Sequence, residues 1–380
     1  MDWNLPEDIR ILQHTVRRFV EREAAPAKDI IDQEERIPDE LVLKARELGL
    51  FGLTIPEEYG GSGVGPLGYA VVREQLGRTN LGLGSLFLVN NGIGSKGILM
   101  EGTPEQKERY LPSLASGEKI ACFALTEPEA GSDAAAISTF ARRDGDTYVL
   151  NGIKRFITNG PIADVITVIA VTDRKLGPKG GISAFIVEKG AHGLTQGKPE
   201  KKLGWNGSPT GELIFEDCRV PSENVLGKVG DGFAIVRKTL AFGRLGVAAT
   251  ALGAAQKVFE LACEYARQRV QFGKPIAANQ FVQGMIADSA VEITAARHMI
   301  YDLATRMETE ENLEVSASMA KLYASEVAGR AADRAVQIHG GMGYMKECEV
   351  ERFYRDVRLL RIVEGTSEIQ RILIARKYLT

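Results

Sequence analysis

The spacing of apolar residues divides the 380-residue chain into three stretches. Up to about residue 118 the period is helical. In PDELVLKAREL (38–48), Pro and acids precede apolar positions at helical spacing, and Gly49 supplies a stop. Thr103-Pro104-Glu105-Gln106 joins a capping hydroxyl, Pro at the first helical position and Gln at the third, and predicts a capping box opening another helix. From about 119 to 227 the period shortens. TYVLNGIKRFIT (147–158) sets Asn151-Gly152 between two β-rich runs and predicts a hairpin. VITVIAV (165–171), ISAFIV (182–187) and ELIF (212–215) predict further short strands of an antiparallel domain. From about 228 the helical period returns. Val258, Leu261, Ala262 and Tyr265 share one face; Ile286, Ile293, Ile300 and Met307 repeat every seven residues, with Leu303 between the last two. These stripes suit a helical bundle. The acidic stretch from Glu308 to Glu314 reads as a solvated turn between helices.

The order helix, strand, helix disfavours a doubly wound α/β sheet. GSGVGP (61–66) follows no strand, so it reads as a loop and not a dinucleotide fingerprint. Charge narrows the choice further. Lys plus Arg total 47 against 50 acids, a net charge of −3, so no bulk positive field exists to hold nucleic acid. Cys122, Cys218, Cys263 and Cys348 form no CxxC and read as buried thiols in a reducing compartment. His14, His192, His298 and His339 are scattered, and no metal is expected. The start MDWNLPEDIRILQHTVRRF has no apolar core, and no window reaches the roughly 18 apolar residues of a membrane span. A bacterial cytoplasmic protein is expected, with a processed mitochondrial matrix chain as the alternative.

Four segments carry candidate chemistry. FALTEPEAGSD (123–133) is rich in turn formers and reads from composition first as a turn, with a loop of hydroxyl and N–H donors for a polar ligand as the functional reading. RQRVQFGKP (267–275) predicts a helix ending at Gly273 with Arg269 in its last turn; Arg beside an aromatic suits a phosphate with a stacked ring nearby. QIHGGMGY (337–344) reads as glycines closing a helix or admitting a ligand close to the backbone. In RIVEGTSEIQ (361–370), Ser367 and Gln370 predict a capping box for a last helix, and Glu364 precedes it after apolar Ile362 and Val363. Desolvation there would raise its carboxyl towards a useful base.

Together these segments resemble the acyl-CoA dehydrogenase family: LTEPEAGSD, RFITNG, RVQFGKPI, QIHGGMGY and VEGTSEIQ stand in the family's order over essentially the whole chain. The resemblance implies an α+β fold with an N-terminal helical domain (1–118), a middle antiparallel β-barrel domain (119–227) and a C-terminal four-helix-bundle domain (228–380). It implies FAD and the oxidation of an acyl-CoA thioester to trans-2-enoyl-CoA. Leu125, Thr126, Gly131 and Ser132 would line the flavin, Ser132 also meeting substrate, with Phe156 and Thr158 over the isoalloxazine ring. Arg269, Phe272, Gln280, Gln337 and Gly341 would reach FAD, typically from a neighbouring subunit, and Thr366 and Glu368 would also contact it. Glu364 matches the base that takes the α-proton while the β-hydrogen leaves as hydride. Its backbone N–H and a flavin ribityl hydroxyl would hold the thioester carbonyl. Arg244 and Gly365 match substrate contacts. Some branched-chain members carry the base near Gly243, which has no side chain to serve.

Many members have Trp at Phe156 and Tyr at Val363. The pocket base falls in LGSLFLVNNG (83–92), with Ser85, Leu86 and Val89, and no arginine for a dicarboxylyl group is apparent. A homotetramer passing electrons to electron-transferring flavoprotein is implied. The alternatives are an acyl-CoA oxidase reducing oxygen, a non-catalytic flavin or CoA-thioester binding protein on the same scaffold, and a related flavin enzyme acting on nitroalkanes or as a monooxygenase.

Overall fold

The computed structural model describes residues 5–310 and 312–379. Helices α1 (Glu7–Phe19), α2 (Lys28–Glu34), α3 (Asp39–Glu47), α4 (Pro66–Leu76), α5 (Leu81–Val89), α6 (Lys96–Glu101) and α7 (Pro104–Ala115) come first. The Gly49 stop is left-handed, at φ +68°. The predicted capping box opens α7: Thr103 Oγ1 accepts from Gln106 N–H, and Gln106 accepts from Thr103 N–H. Residues 61–65 form a loop that enters α4 at Pro66. α5 is apolar all round and almost wholly buried, as a helix enclosed on every side must be.

Strands β1 (Ala121–Ala124), β2 (Phe140–Asp144), β3 (Thr147–Thr158), β4 (Val165–Val171), β5 (Ile182–Glu188), β6 (Leu194–Gln196), β7 (Thr210–Pro221) and β8 (Val225–Leu226) build one sheet in the order β6-β7-β3-β2-β4-β5-β8, with β1 beside β4. Its centre is apolar on both faces. Val165, Ile169 and Val171 of β4 pack towards α7, while Ile166, Val168 and Ala170 pack with Phe185, Leu213 and Phe215 on the other face. That is why VITVIAV shows no polar alternation.

The sheet departs from the sequence expectation in three ways. It is mixed, because β1 runs parallel to β4 and regains it only after the β2–β3 hairpin has intervened. Among the described residues no ladder joins β6 to β8, so the expected barrel is not closed by hydrogen bonds. Asn151-Gly152 makes no hairpin: TYVLNGIKRFIT is one twelve-residue strand, and the turn lies at Gly145, φ +61°. Asn151 sits in a bulge against β7 and exchanges side-chain bonds with Asp217 at 3.1 and 2.9 Å. Gly152 is needed because a Cβ there would lie 2.4 Å from Thr139 Oγ1.

The C-terminal stretch is a helical bundle of α8 (Gly232–Gln268), α9 (Gln280–Arg306), α10 (Glu314–His339), α11 (Glu349–Val357) and α12 (Ser367–Leu379). Between α8 and α9 lies a hairpin of β9 (Val270–Gln271) and β10 (Lys274–Pro275). Val258, Ala262, Ile293, Ile300 and Leu303 enter a core that α8, α9 and α10 share with α1 and α4. The acidic stretch at 308–314 includes position 311, outside the described residues; around it the chain turns, and Glu314 opens α10. All four cysteines are free.

Candidate active site

The centre of the site is the bend between α11 and α12. Glu364 is left-handed at φ +53° and Gly365 follows at φ +95°. A non-glycine residue in that region costs about 1–2 kcal/mol unless its surroundings hold it there. Here they do. Gln370 Nε2 donates to the carbonyls of Glu364 and Gly365 at 3.2 and 2.8 Å, and the fully buried Lys321 Nζ donates to the Gly365 carbonyl at 2.7 Å. The predicted cap shifts by one residue: Thr366 Oγ1 accepts from Ile369 N–H at 3.3 Å, and Ser367 lies inside α12, its hydroxyl without a partner among the described residues. Gln370 is drawn away from a capping role because it serves the bend.

This bend aims the Glu364 carboxyl at α8. Oε2 is shut off from solvent with no hydrogen-bond partner among the described residues. Gly243 makes the room: a Cβ there would lie 1.9 Å from Oε2. Burial pushes the Glu364 carboxyl up to about 7, against the pull of Arg73, Lys321 and Arg244. An acid that is half ionised near neutrality, desolvated and unbonded at one oxygen is equipped to take a proton. Gly243→Ala is therefore expected to keep the fold, expel the carboxyl and cut turnover about 100-fold or more, since a misplacement of about 1 Å can cost that much; steady-state kinetics and circular dichroism check it.

The loop 125–133 and strand β3 form a second part. Arg155 N–H donates to the Thr126 carbonyl at 2.8 Å, and Lys154 Nζ to the Leu125 carbonyl at 2.9 Å. These bonds bring Leu125 and Thr126 beside Phe156 and Thr158. Phe156 lies in a second β3–β7 bulge at φ +57°, its ring 56% exposed and under Arg155 at 5.0 Å. Gly131 and Ser132 stand exposed further along the loop, and nothing lies within 4 Å of a Cβ on Gly131.

Arg269, Phe272, Gln280, Gln337 and Gly341 form a separate group. α8 ends at Gln268, earlier than predicted, because the chain turns at once into the β9–β10 hairpin, with Phe272 and Gly273 both at positive φ. Arg269 thus leaves the helix, and its guanidinium has no partner among the described residues. Phe272 is 97% exposed. Tyr265 stacks on His339 at 4.3 Å, which ties this end of α8 to Gln337 and Gly341 at the end of α10. Arg269 lies some 26 residues beyond Gly243, roughly 39 Å along the helix. One chain therefore does not bring this group to Glu364. Arg244, Gly365 and Thr366 do lie at the Glu364 bend; Glu368 is exposed on the first turn of α12.

Sequence reasoning missed Arg73 and Lys321, and gave Gln370 a capping role in place of its bonds to the bend. Lys321 carried a readable signal: it stands on an α10 face with Ala317, Ala320, Ala324 and Ala328, all buried.

Comparison with known families gives three matches: acyl-CoA dehydrogenase N-terminal domain over residues 6–118, middle domain over 122–218 and C-terminal domain over 230–379. The chain is 47% identical to an acyl-CoA dehydrogenase of Bacillus subtilis over 97% of both chains. Butyryl-CoA dehydrogenase of Megasphaera elsdenii has the same fold, with TM-score 0.96 and 41% identity over 100% of both chains. So does a chain in the structure described as electron transferring flavoprotein of Acidaminococcus fermentans, with TM-score 0.96 and 44% identity over 100% of both.

Proposed function

Because the chain belongs to the acyl-CoA dehydrogenase family, we propose that Glu364 is the base of its reaction. The protein is an FAD-dependent enzyme that oxidises an acyl-CoA thioester to the trans-2-enoyl thioester, with electron-transferring flavoprotein as acceptor. The observation that carries the assignment is the buried, unbonded Oε2 of Glu364 above Gly243. Glu364 takes the α-proton, and its backbone N–H, with Gly365 and Arg244 nearby, holds the thioester. Bound FAD supplies the hydride acceptor.

The residues present fit that cofactor. An exposed aromatic on a strained bulge, with Thr158 and the Leu125–Ser132 loop beside it, offers a flat surface and donors for a ring and ribityl chain. The unpaired Arg269 and exposed Phe272, with Gln280, Gln337 and Gly341, offer charge and stacking for a pyrophosphate and adenine. Since Arg269 stands roughly 39 Å from Gly243 along α8 in one chain, two copies share each cofactor, within the homotetramer that the family resemblance implies. The chain divides into domains at 1–118, 119–227 and 228–380. Four free thiols support a reducing compartment, the bacterial cytoplasm; no described helix is long and apolar enough to cross a membrane.

The test is the visible spectrum of the purified protein before and after anaerobic addition of acyl-CoAs. Bleaching by a subset supports the reading; a flavin that none of them bleaches overturns it. Arg269→Ala is expected to lower FAD content at least tenfold after dialysis without changing the circular dichroism of the chain. Unchanged flavin content would remove Arg269 from the site.

A further inference from the structure

Two glycines of α8 seat two opposite charges in neighbouring notches. A Cβ on Gly243 would lie 1.9 Å from Glu364 Oε2, and a Cβ on Gly246 would lie 2.9 Å from Arg73 Nη1 and 3.0 Å from Tyr69 Oη. Positions three apart on a helix are surface neighbours, with roughly 5–6 Å between their Cβ atoms. The Glu364 carboxyl and the buried Arg73 guanidinium of α4 therefore face each other across one turn of α8. They do not bond: Oε2 has no hydrogen-bond partner and Arg73 pairs with no carboxylate among the described residues. A frame of neutral groups keeps Arg73 in its own notch. Its Nε donates to Thr250 Oγ1 at 3.0 Å and its Nη1 to Tyr69 Oη at 2.7 Å. Thr250 stands one turn beyond Gly246 and is itself tied to the Gly246 carbonyl at 3.0 Å. The Tyr69 ring lies 5.5 Å from Arg73 Cζ and stacks on Phe242 at 4.8 Å.

The other charges around the carboxyl are committed elsewhere. Glu74, next to Arg73 in the chain, accepts from Arg297 and Tyr301 at 2.8 and 2.6 Å. Lys321 of α10 is bound to the Gly365 carbonyl at 2.7 Å, and burial lowers its ammonium to about 8. Lys96 lies behind the Phe242 ring, and burial lowers it to about 8 as well. Arg244 of α8 pairs with Glu314 of α10 at 3.7 Å. On the α12 side, Glu368 is exposed and Arg361 approaches Glu326 at 3.9 Å. Arg73 alone among these cations has only neutral bonding partners, and it leads the charges that oppose the effect of burial on Glu364. Its distance matters as much as its sign. A guanidinium bonded to Oε2 would hold the carboxylate and cover the lone pair that must take the proton. With no cation in reach, burial would leave the carboxyl protonated. A charge one turn away favours the ionised form and leaves the oxygen open.

We propose that Arg73 is a positioning residue of the reaction, held off Glu364 by Thr250 and Tyr69 so that its charge keeps the base ionised without occupying the oxygen that accepts the proton. The role rests on Glu364 as the base. The two glycines then have separate tasks: Gly243 admits the carboxyl, and Gly246 admits the charge that ionises it. Removing the charge and removing its tether must act in opposite directions. Without the charge, the base is protonated up to a higher pH. Without the tether, the guanidinium closes on Oε2, and the base is ionised to a lower pH but blocked.

The test is the pH profile of kcat/KM for the FAD-loaded enzyme with a bleaching thioester. Arg73→Met is expected to delay the rise by about one pH unit or more, the effect of losing an opposite charge within reach, so that it loses about tenfold near pH 6 and regains most of the native plateau near pH 9. Arg73→Lys, which keeps a charge, is expected to lie between the two. Thr250→Val keeps the guanidinium and removes its tether, so the rise is expected to come earlier than in the native enzyme while the plateau falls about tenfold. The infrared carbonyl band of protonated Glu364, identified by its absence in Glu364→Gln, is expected to give the same order of midpoints without turnover. A loss in Arg73→Met that is equal at every pH, with an unmoved infrared midpoint, overturns the proposal, since Arg73 would then serve packing alone. So does a Thr250→Val midpoint displaced in the same direction as that of Arg73→Met. If Arg73→Met does not fold, Arg73→Lys and Thr250→Val decide through the same two readouts. If no thioester bleaches the flavin while the infrared midpoints still separate in this order, the base assignment fails and the hold of Arg73 on Glu364 stands.

Discussion

Glu364→Gln is expected to keep its flavin, keep its fold and lose substrate-driven bleaching by a factor of about 100 to 10,000, the range assigned to a positioned general base. The amide is nearly isosteric, so the left-handed bend and its bonds from Gln370 and Lys321 persist. What disappears is the buried Oε2, the atom placed to take a proton at this site. A stopped-flow trace of flavin absorbance after mixing with a bleaching thioester measures the loss; retention of more than a tenth of the rate would sink the assignment. The same carboxyl sets the pH dependence. Burial raises it to about 7 while Arg73, Lys321 and Arg244 restrain the rise. Only the ionised form is a base, so kcat/KM of the native enzyme should climb with pH up to about 7 and then level. The effect on stability has the opposite sign. A carboxyl whose folded pKa exceeds its unfolded value binds more protons in the native state between roughly pH 4.3 and 7, so its contribution is lost as pH rises through that window. At pH 8 the Gln variant should therefore melt above the native protein.

The parts of this molecule legible in its sequence are those fixed by local chemistry. The Thr103–Gln106 box, the Gly49 stop and the doubly buried VITVIAV strand follow from residues close in the chain. Asn151-Gly152 misled because the turn preference of that pair is weaker than nine residues of β3–β7 pairing across its bulges, and because Gly152 is required by Thr139, a residue thirteen positions away in the chain. Ser367 misled because Gln370, the other half of its predicted box, is claimed by the carbonyls of the bend. The candidate base was legible as a motif, but its surroundings were not. Gly243, Arg73 and Lys321 lie on three different helices, and only the packing of α4, α8 and α10 shows that all three face one carboxyl. Arg73 in particular reads as an ordinary helix cation within VVREQL; its burial is set by the glycines of α8, far along the chain.

Lys154→Met is expected to destabilise the protein by about 3–5 kcal/mol, the cost of stranding a buried charge, and to strip it of flavin. Lys154 is fully buried in the middle of β3 and pairs with Glu127 at 2.8 Å, itself nearly inaccessible. Glu127 is the glutamate of the LTEPEAGSD segment, and it is fully engaged: Oε2 accepts from Ser138 N–H and Oγ at 2.6 and 2.7 Å, and Oε1 from Thr139 N–H at 2.9 Å. Burial alone would raise this carboxyl, yet Lys154 and these donors bring it down to about 2. Depression of this sign adds stability above the unfolded value, near pH 4.3, that is lost as pH falls towards 2. The pair pins both ends of the loop that carries Leu125, Thr126, Gly131 and Ser132, because Lys154 also bonds the Leu125 carbonyl and Glu127 holds the return at Ser138 and Thr139. Without the ammonium, Glu127 must take up a proton or leave, and the loop leaves with it. Urea denaturation at pH 7 measures the first effect, and flavin content after dialysis the second. The double variant Glu127→Gln, Lys154→Met removes both charges and keeps one acceptor oxygen, for Ser138 or for Thr139, so it should regain part of the stability. A double variant no more stable than Lys154→Met alone would show that the lysine acts through packing and not through its charge.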